Sequence, residues 1–157
     1  MKSLQKFSLS LITLVLFLSC SSDDTPAGSN DKDAIIGTWN LVELNISPDQ
    51  DIDNDGTANS NILTELNCVS GTLTFREDNT WSLAFNGVNI TAITGGLFDI
   101  RCANFTSTGN GTWQLQNNQL TLFQGFTTIF YTLNDNRLTN IIGEDLPDFS
   151  SEVYEKQ

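Results

Sequence analysis

An acidic run in the first half of the chain has the spacing of ligands for a hard cation. Its candidate ligands are Asp51, Asp53, Asp55 and Asn59. Alternate carboxylates of this kind converge on one ion in calcium loops, and Gly56 stands where such a loop needs a sharp turn. The twelfth position, which supplies a bidentate Glu in those loops, is Ile62, and Glu65 follows three residues late. The run therefore predicts either a weak Ca²⁺ site or a solvated acidic turn that binds no cofactor.

The residues available for catalysis are few, because the chain contains no histidine. This absence excludes Ser-His-Asp and Cys-His machinery and histidine-ligated zinc centres. A pair of carboxylates, as in glycoside hydrolysis, remains available. The acids to consider are Glu43, Glu65, Glu77 and Asp99, and no spacing singles out two of them. We expect no enzymatic activity.

The elements that carry these residues have the pattern of an all-β domain. Short runs of alternating apolar and polar residues are separated by Asn, Asp and Gly, and helical periodicity is almost absent. The predicted strands cover residues 35–46, 71–76, 80–86, 111–115, 119–124, 127–133 and 137–142. Residues 60–66 predict a helical turn, and residues 89–102 a weak strand followed by a long loop. Consecutive hairpins favour an antiparallel meander, and closure into a barrel would remove its edges.

The N-terminus is typical of a secretory signal, which we assign to residues 1–19. Lys2 and Lys6 precede an apolar run that is too short to span a bilayer. Residues 17–20 resemble a lipobox, the motif at which a signal peptidase cuts before a cysteine that is then acylated, with Phe17 in place of the usual Leu. This resemblance makes Cys20 the lipidation site and its acyl chains the contact with a membrane. The alternative is an ordinary signal peptide with a chance cysteine.

The segment after Cys20 predicts a flexible acidic tether over residues 20–34, followed by one domain over residues 35–157. Its Cys-Ser-Ser-Asp-Asp start is similar to the export signal of Bacteroidetes-type lipoproteins. That similarity implies an outer-membrane lipoprotein exposed at the cell surface. The periplasmic face is the alternative location.

Charge and cysteine content support an exported protein. The formal net charge is −12, and such a surface repels the phosphates of nucleic acids. We therefore expect no nucleic-acid partner. The three cysteines leave Cys68 and Cys102 as a pair if Cys20 is acylated, which predicts a disulfide in an oxidising compartment. Two free thiols are the alternative.

A family resemblance begins at Gly37-Thr38-Trp39, which looks like the Gly-x-Trp motif that opens lipocalin barrels. A second Gly-Thr-Trp stands at residues 111–113. Together with the acidic loop and the two later cysteines, the order of features over residues 35–155 is similar to lipocalin-like domains of Bacteroidetes lipoproteins. The resemblance implies a small up-and-down barrel of about eight strands. It also implies that Trp39 closes one end beneath a cation from a late strand, for which Arg137 is the candidate.

Two non-catalytic functions fit this barrel. The first is a binding module for a small apolar or amphipathic ligand, held in a cavity lined by Trp39, Phe85, Phe98, Phe123, Phe126 and Phe130. The second is a solid-cored interaction subunit of an envelope complex, with an exposed apolar patch around residues 123–130. The tryptophans would then serve only as core packing. A carboxylate hydrolase is a third hypothesis, and it needs two facing acids with one raised pKa.

Overall fold

The computed structural model describes residues 29–143 and 149–157, and it confirms an all-β antiparallel barrel. The predicted signal, Cys20 and tether residues 20–28 lie outside the described residues. Residues 29–35, which we had divided between the tether and the first strand, form a helix instead. The elements are α1 (Ser29–Ile35), β1 (Gly37–Gln50), β2 (Asn59–Asn61), β3 (Ser70–Phe75), β4 (Thr80–Ala92), a 3₁₀ turn (Thr94–Gly96), β5 (Phe98–Gln116), β6 (Gln119–Gln124), β7 (Thr127–Asn134), β8 (Arg137–Ile141) and β9 (Ser151–Lys156).

The sheet closes because its first long strand pairs with its last. The strand order is β2-β1-β3-β4-β5-β6-β7-β8-β9, and β1 also pairs with β9. Eight strands therefore form the barrel, and β2 is an extra strand on the distal end of β1. Every pairing is antiparallel, as expected for a chain of successive hairpins.

Short polar turns set the register of these hairpins. Asn79, Asn117 and Asp135 adopt positive φ values of 63°, 53° and 51° at the three turns predicted from the sequence. Asn and Asp tolerate this left-handed conformation better than other side chains. Side chains two residues apart on a strand share a face, and Leu120 and Leu122 of β6 accordingly both point into the barrel and are buried.

The interior of the barrel is lined by large apolar side chains. Trp39, Trp81 and Phe75 are fully buried in one continuous core cluster. Phe75 makes edge-to-face contacts with Trp39 and Trp113, with ring centroids 6.5 and 6.0 Å apart. Packing of this kind confirms that the tryptophans belong to the core.

The stretch that we had predicted as a weak strand and a loop, residues 89–102, is instead the far end of a long hairpin. Strands β4 and β5 pair as far as Ala92 and Phe98, with one register shift between Asn86 and Val88. The predicted disulfide is confirmed: it joins Cys68 to Cys102, with their Cα atoms 5.9 Å apart. The Gln50 carboxamide also donates to the Phe98 carbonyl (2.9 Å) and accepts from the Phe98 N–H (2.7 Å). Two separate contacts thus fasten the end of this hairpin to the rest of the barrel.

Helix α1 lies against the barrel end formed by the start of β1. The indole Nε1 of Trp39 donates to the Ile35 carbonyl (2.8 Å), and Ile35 is fully buried. The Lys156 ammonium lies 5.7 Å from the centroid of the Trp39 ring and donates to the carbonyl oxygens of Asp33 and Ala34. A cation therefore covers this tryptophan and fixes the helix at the same time.

The cation over Trp39 is Lys156, and the assignment of Arg137 to this role was wrong. Arg137 starts β8 on the outside of the barrel, where it forms ion pairs with Glu43 and Glu155. Lys156 is the direct antiparallel partner of Trp39 in the β1–β9 pairing, so both side chains point to the same face.

Candidate functional site

The acidic loop folds around its own carboxylates. The N–H of Asp55 donates to Asp51 Oδ1 and to Asp53 Oδ1, each at 3.0 Å, and the N–H of Gly56 donates to Asp51 Oδ2 at 3.0 Å. Asn54 and Gly56 have positive φ values of 63° and 94°, which allow the chain to turn sharply here. The loop therefore holds the carboxylates of Asp51 and Asp53 side by side at the surface.

Glu65 supplies a third carboxylate, although the sequence template had placed it out of register. One ligand oxygen from each of Asp51, Asp53 and Glu65 lies within 4.8 Å of the others. Glu65 is held in place because its carboxylate accepts from the N–H groups of Ile52 (2.8 Å) and Asp53 (3.3 Å) and from Asn59 Nδ2. The predicted turn after β2 brings this residue back toward the loop, through a hydrogen bond from the Leu66 N–H to the Ile62 carbonyl (2.8 Å).

The other two predicted ligands have different places. The Asp55 carboxylate accepts from the Thr57 N–H (2.7 Å) and does not belong to the group of three. The side chain of Asn59 touches the group only through Glu65. The structure thus brings together two of the four residues predicted from the sequence and adds Glu65.

The charge on Glu65 is stabilised where it lies. The Asn59 side chain, and then the Ile52 N–H, lower the pKa of Glu65 below its usual value and outweigh the opposing effect of burial. Glu65 is only 6% exposed, yet it stays ionised at neutral pH. In the described part of the chain, no lysine or arginine forms an ion pair with any of the three carboxylates. The cluster therefore concentrates negative charge that a divalent cation would neutralise.

The aromatic residues predicted to line a cavity divide into two groups. Trp39 and Phe98 are buried and Phe85 is half-buried, all in contact with the core. The placement of the other three inside the barrel was wrong, because they are exposed to solvent: Phe123 (40%), Phe126 (110%) and Phe130 (52%).

The period of two along each strand explains these exposed positions. Leu120 and Leu122 point inward on β6, so Phe123 points outward. Tyr131 and Leu133 point inward on β7, so Phe130 also points outward. The alternation around Leu120 and Leu122 is visible in the sequence, so the outward direction of Phe123 could have been predicted from it.

Two of these exposed rings share one outer face, and the third follows in the adjoining turn. Phe123 stands directly opposite Thr128 in the β6–β7 pairing, which makes Phe130 its diagonal neighbour on the same face. Phe126 lies in the turn that joins the two strands, after Gly125, whose φ is 59°. We call these three residues the phenylalanine patch.

The surroundings of the phenylalanine patch are free of charge. From Cys102 to Asn134 the sequence contains no Asp, Glu, Lys or Arg, although the whole chain has 19 acidic and 7 basic residues. This segment comprises the second half of β5 and all of β6 and β7. Its outward side chains other than the phenylalanines are mainly Thr, Asn and Gln. One side of an acidic barrel is therefore neutral and partly aromatic.

A polar cluster lies inside the barrel, between β7, β8 and β9. The Glu152 carboxylate accepts from the hydroxyl of Tyr131, from Asn140 Nδ2 (3.3 Å) and from the hydroxyl of Tyr154 (3.5 Å). Burial, and then the Glu152 charge, raises the pKa of Tyr131 and of Tyr154 above the usual value for tyrosine. Both phenols therefore remain protonated donors that satisfy the carboxylate and stabilise the core.

The carboxylate hydrolase hypothesis gains no support from this geometry. Its acid would need a raised pKa, and the pKa of Glu65 is shifted in the opposite direction. Glu43 is engaged in an ion pair with Arg137 on the outside of the barrel, and Asp99 in one with Arg101.

Comparison with known proteins adds no relative. No family model, no curated protein and no solved structure matches this chain. Among residues 29–143 and 149–157, no helix is long and apolar enough to cross a bilayer.

Proposed function

We propose that this protein is a lipid-anchored component of the bacterial cell envelope that acts as a non-catalytic interaction subunit. Its acylated Cys20 would hold it on the outer membrane, with the barrel on the cell surface. The phenylalanine patch would bind an envelope protein that presents an apolar, uncharged surface.

The observation that carries this proposal is the exposure of three phenylalanines on a charge-free face. A fully exposed ring such as Phe126 leaves its apolar surface in water, which is unfavourable unless a partner covers it. Depletion of charged residues together with enrichment in aromatic residues distinguishes the centre of a protein interface from ordinary surface. The neutral segment from Cys102 to Asn134 has this composition within a chain of net charge −12.

The alternative of an apolar ligand inside the barrel is less well supported. It relied on six aromatic residues, of which Phe123, Phe126 and Phe130 point away from the interior. The remaining three, Trp39, Phe85 and Phe98, all contact the core cluster. This hypothesis would require the same core side chains to move apart.

The direct test places a photo-crosslinking amino acid at position 130 of the full chain, expressed in its own host. A discrete heavier adduct is expected from position 130. Position 141 serves as the matched control, because Ile141 is also apolar, 75% exposed and on a barrel strand. A second protein carries the crosslinker at position 130 together with Phe123→Ser, and it should give no adduct because the substitution removes a neighbouring ring of the patch. Equal labelling from positions 130 and 141, or an adduct that survives Phe123→Ser, would contradict the proposal.

A second candidate function is calcium binding by Asp51, Asp53 and Glu65. The specific observation in its favour is the approach of three ligand oxygens to within 4.8 Å of one another, with Glu65 fixed and ionised. Hard cations prefer carboxylate oxygens, and the loop turn resembles the start of a calcium loop. Such a site would stabilise the distal end of β1 next to the disulfide-linked hairpin.

Titration calorimetry of the full chain with CaCl₂ tests this second function. We expect binding heat that disappears in Asp53→Asn and persists in Asp135→Asn, which removes the same charge from a distant turn. The Asp135 control separates a site from a general effect of net charge. Heat that is absent in the wild-type chain, or lost equally in both variants, would exclude the site.

A further inference from the structure

The longest strand of the barrel has an edge without a strand neighbour. Residues 112–116 of β5 pair with β6, starting at Thr112 opposite Phe123, whereas β4 pairs with β5 from Thr112 back to Phe98. Residues 98–102 and 106–111 of β5 have β4 as their only sheet neighbour, and residues 103–105 form a bulge without paired residues on β4. The other side of this stretch is an open strand edge.

The phase of the hydrogen bonds shows which main-chain groups face that open edge. The Trp113 N–H donates to the Asn79 carbonyl (2.8 Å), so these two residues form a hydrogen-bonded pair. Hydrogen-bonded pairs recur at every second residue of an antiparallel ladder. Gly111, Gly109 and Ser107 therefore also direct their main-chain groups toward β4. The residues between them, Thr106 and Thr108, direct their N–H and C=O groups away from β4. In the described part of the chain no residue bonds to these four groups. They are therefore free to pair with another strand.

The same strand is protected at its other end. Phe98 also directs its main-chain groups away from β4, and there the Gln50 carboxamide satisfies both of them. Arg101 and Asp99 form an ion pair on the strand close to this protected end. Between residues 102 and 111 the sequence has no charged residue and no proline, two of the features that usually keep an edge strand from pairing with another chain. A third such feature, a bulge, is confined to residues 103–105 and leaves Thr106 and Thr108 in regular pairing with β4.

Charge decides which partner this edge fits. Two copies of a chain with a net charge of −12 repel each other, and this repulsion is weakest where their surfaces carry no charge. The open edge lies at the start of the neutral segment, which begins at Cys102. A basic partner would instead be attracted to the acidic surfaces elsewhere on the barrel.

We propose that β5 edges from two copies of this chain pair with each other in an antiparallel ladder about a two-fold axis near Ser107. In that register Thr106 of one copy faces Thr108 of the other, and the pair exchanges two main-chain hydrogen bonds. The two-fold axis repeats the same pair on its other side. Cross-strand threonine pairs are favourable neighbours in antiparallel sheets.

This dimer leaves the phenylalanine patch available. Phe123 and Phe130 lie on the outward face of β6 and β7 and Phe126 lies in the turn between these strands, whereas the pairing uses the main-chain edge of β5 beyond the end of β6. Each dimer would thus present two such patches to other envelope proteins. Failure of the dimer would leave the proposed function of the patch untouched.

A charge-swap experiment tests the pairing in the full chain. Two copies with different C-terminal affinity tags are co-expressed, extracted in detergent, and purified through one tag while the other is detected. The first variant carries Thr106→Lys and Thr108→Lys, and the second carries Thr106→Glu and Thr108→Glu. Both double substitutions remove the side-chain hydrogen bond from Thr106 to Asn86 of β4 (2.6 Å) but leave the main-chain bonds between β4 and β5 in place, so circular dichroism should show folded protein.

We expect the wild-type copies to co-purify, each variant to lose co-purification with itself, and the Lys variant to recover it with the Glu variant. The matched control carries Asn118→Lys and Asn136→Lys in two exposed turns at the other end of the barrel, and it should co-purify like the wild type. Co-purification that persists in either charged variant, or that is absent in the wild type, overturns the proposal. Loss without recovery in the Lys–Glu mixture also overturns the proposed register.

Discussion

Removing the disulfide should cost this barrel a large part of its stability. Cys68 and Cys102 are separated by 34 positions, and closing a loop of this length restrains the unfolded chain by about 4 kcal/mol. Small domains are stable by only about 5–15 kcal/mol, so the double variant Cys68→Ala/Cys102→Ala should remain folded but with a small margin. The Gln50 contacts to Phe98 would still hold the hairpin end in the folded state.

Urea unfolding followed by tryptophan fluorescence measures this effect. With a slope of about 2 kcal/mol per molar urea, a loss of about 4 kcal/mol lowers the midpoint by about 2 M. The slope itself should rise, because an unfolded chain without the crosslink exposes more surface. Tryptophan is a suitable probe since Trp39, Trp81 and Trp113 are all buried in the core.

Reduced wild-type protein is the internal control for this experiment. Cys102 is exposed and Cys68 is half-buried, so a reductant can reach the bond in the folded state. Reduced wild type and the double variant should then unfold at the same urea concentration. A loss below about 1 kcal/mol would refute the reasoning, because it would mean that the unfolded chain gains little freedom when the loop opens.

Three further substitutions test the packing of the barrel and the acidic loop. Trp39→Phe should destabilise the protein by about 1–2 kcal/mol more than Trp81→Phe. The reason is that Trp39 Nε1 donates to a carbonyl, whereas Trp81 Nε1 is buried without a protein partner among the described residues. Equal losses of stability in thermal unfolding would contradict this prediction. Lys156→Met should lower the free energy of unfolding, measured in urea, by about 1–2 kcal/mol, because it removes the cation over Trp39 and the hydrogen bonds to helix α1. Arg101→Met is the control and should change this free energy by less than about 0.5 kcal/mol, because the ion pair of Arg101 with Asp99 lies at the surface. Because the pKa of Glu65 is lower in the folded protein than in the unfolded chain, its stabilising effect is present above the unfolded pKa and is lost as the pH falls through the folded pKa. Glu65→Gln should therefore flatten the loss of stability on acidification, and an unchanged pH profile would contradict the prediction.

Much of the fold follows from local patterns that the sequence displays. The polar turns at Asn79, Asn117 and Asp135 and the alternation at Leu120 and Leu122 predicted the central hairpins, and the structure confirms them. Parity among the cysteines predicted the disulfide. These features depend on neighbours within a few residues, or on the chemistry of one residue type, and so can be determined from the chain itself.

The far half of the β4–β5 hairpin was not predicted as a pair of strands. Apolar residues do alternate there, at Val88 and Ile90 on β4 and at Phe98 and Ile100 on β5, but each run is only a few residues long. Cross-strand main-chain hydrogen bonds, the disulfide and the Gln50 contacts hold it in place, and none of these has a local sequence signal. The third carboxylate of the acidic cluster was not predicted as a ligand for a similar reason. The twelve-residue pattern of a calcium loop ends at Ile62, whereas in the structure a turn after β2 brings Glu65 back to Asp51 and Asp53.

By itself the sequence determined the fold class, the hairpin turns, the cysteine pair and the neutral stretch between Cys102 and Asn134, because each depends on residue type and short-range order. Only the tertiary structure decided that Lys156 rather than Arg137 covers Trp39, and that one edge of β5 stays open. The physical reason is register: a strand period of two fixes which side chains share a face, but the pairing of distant strands decides which of them meet.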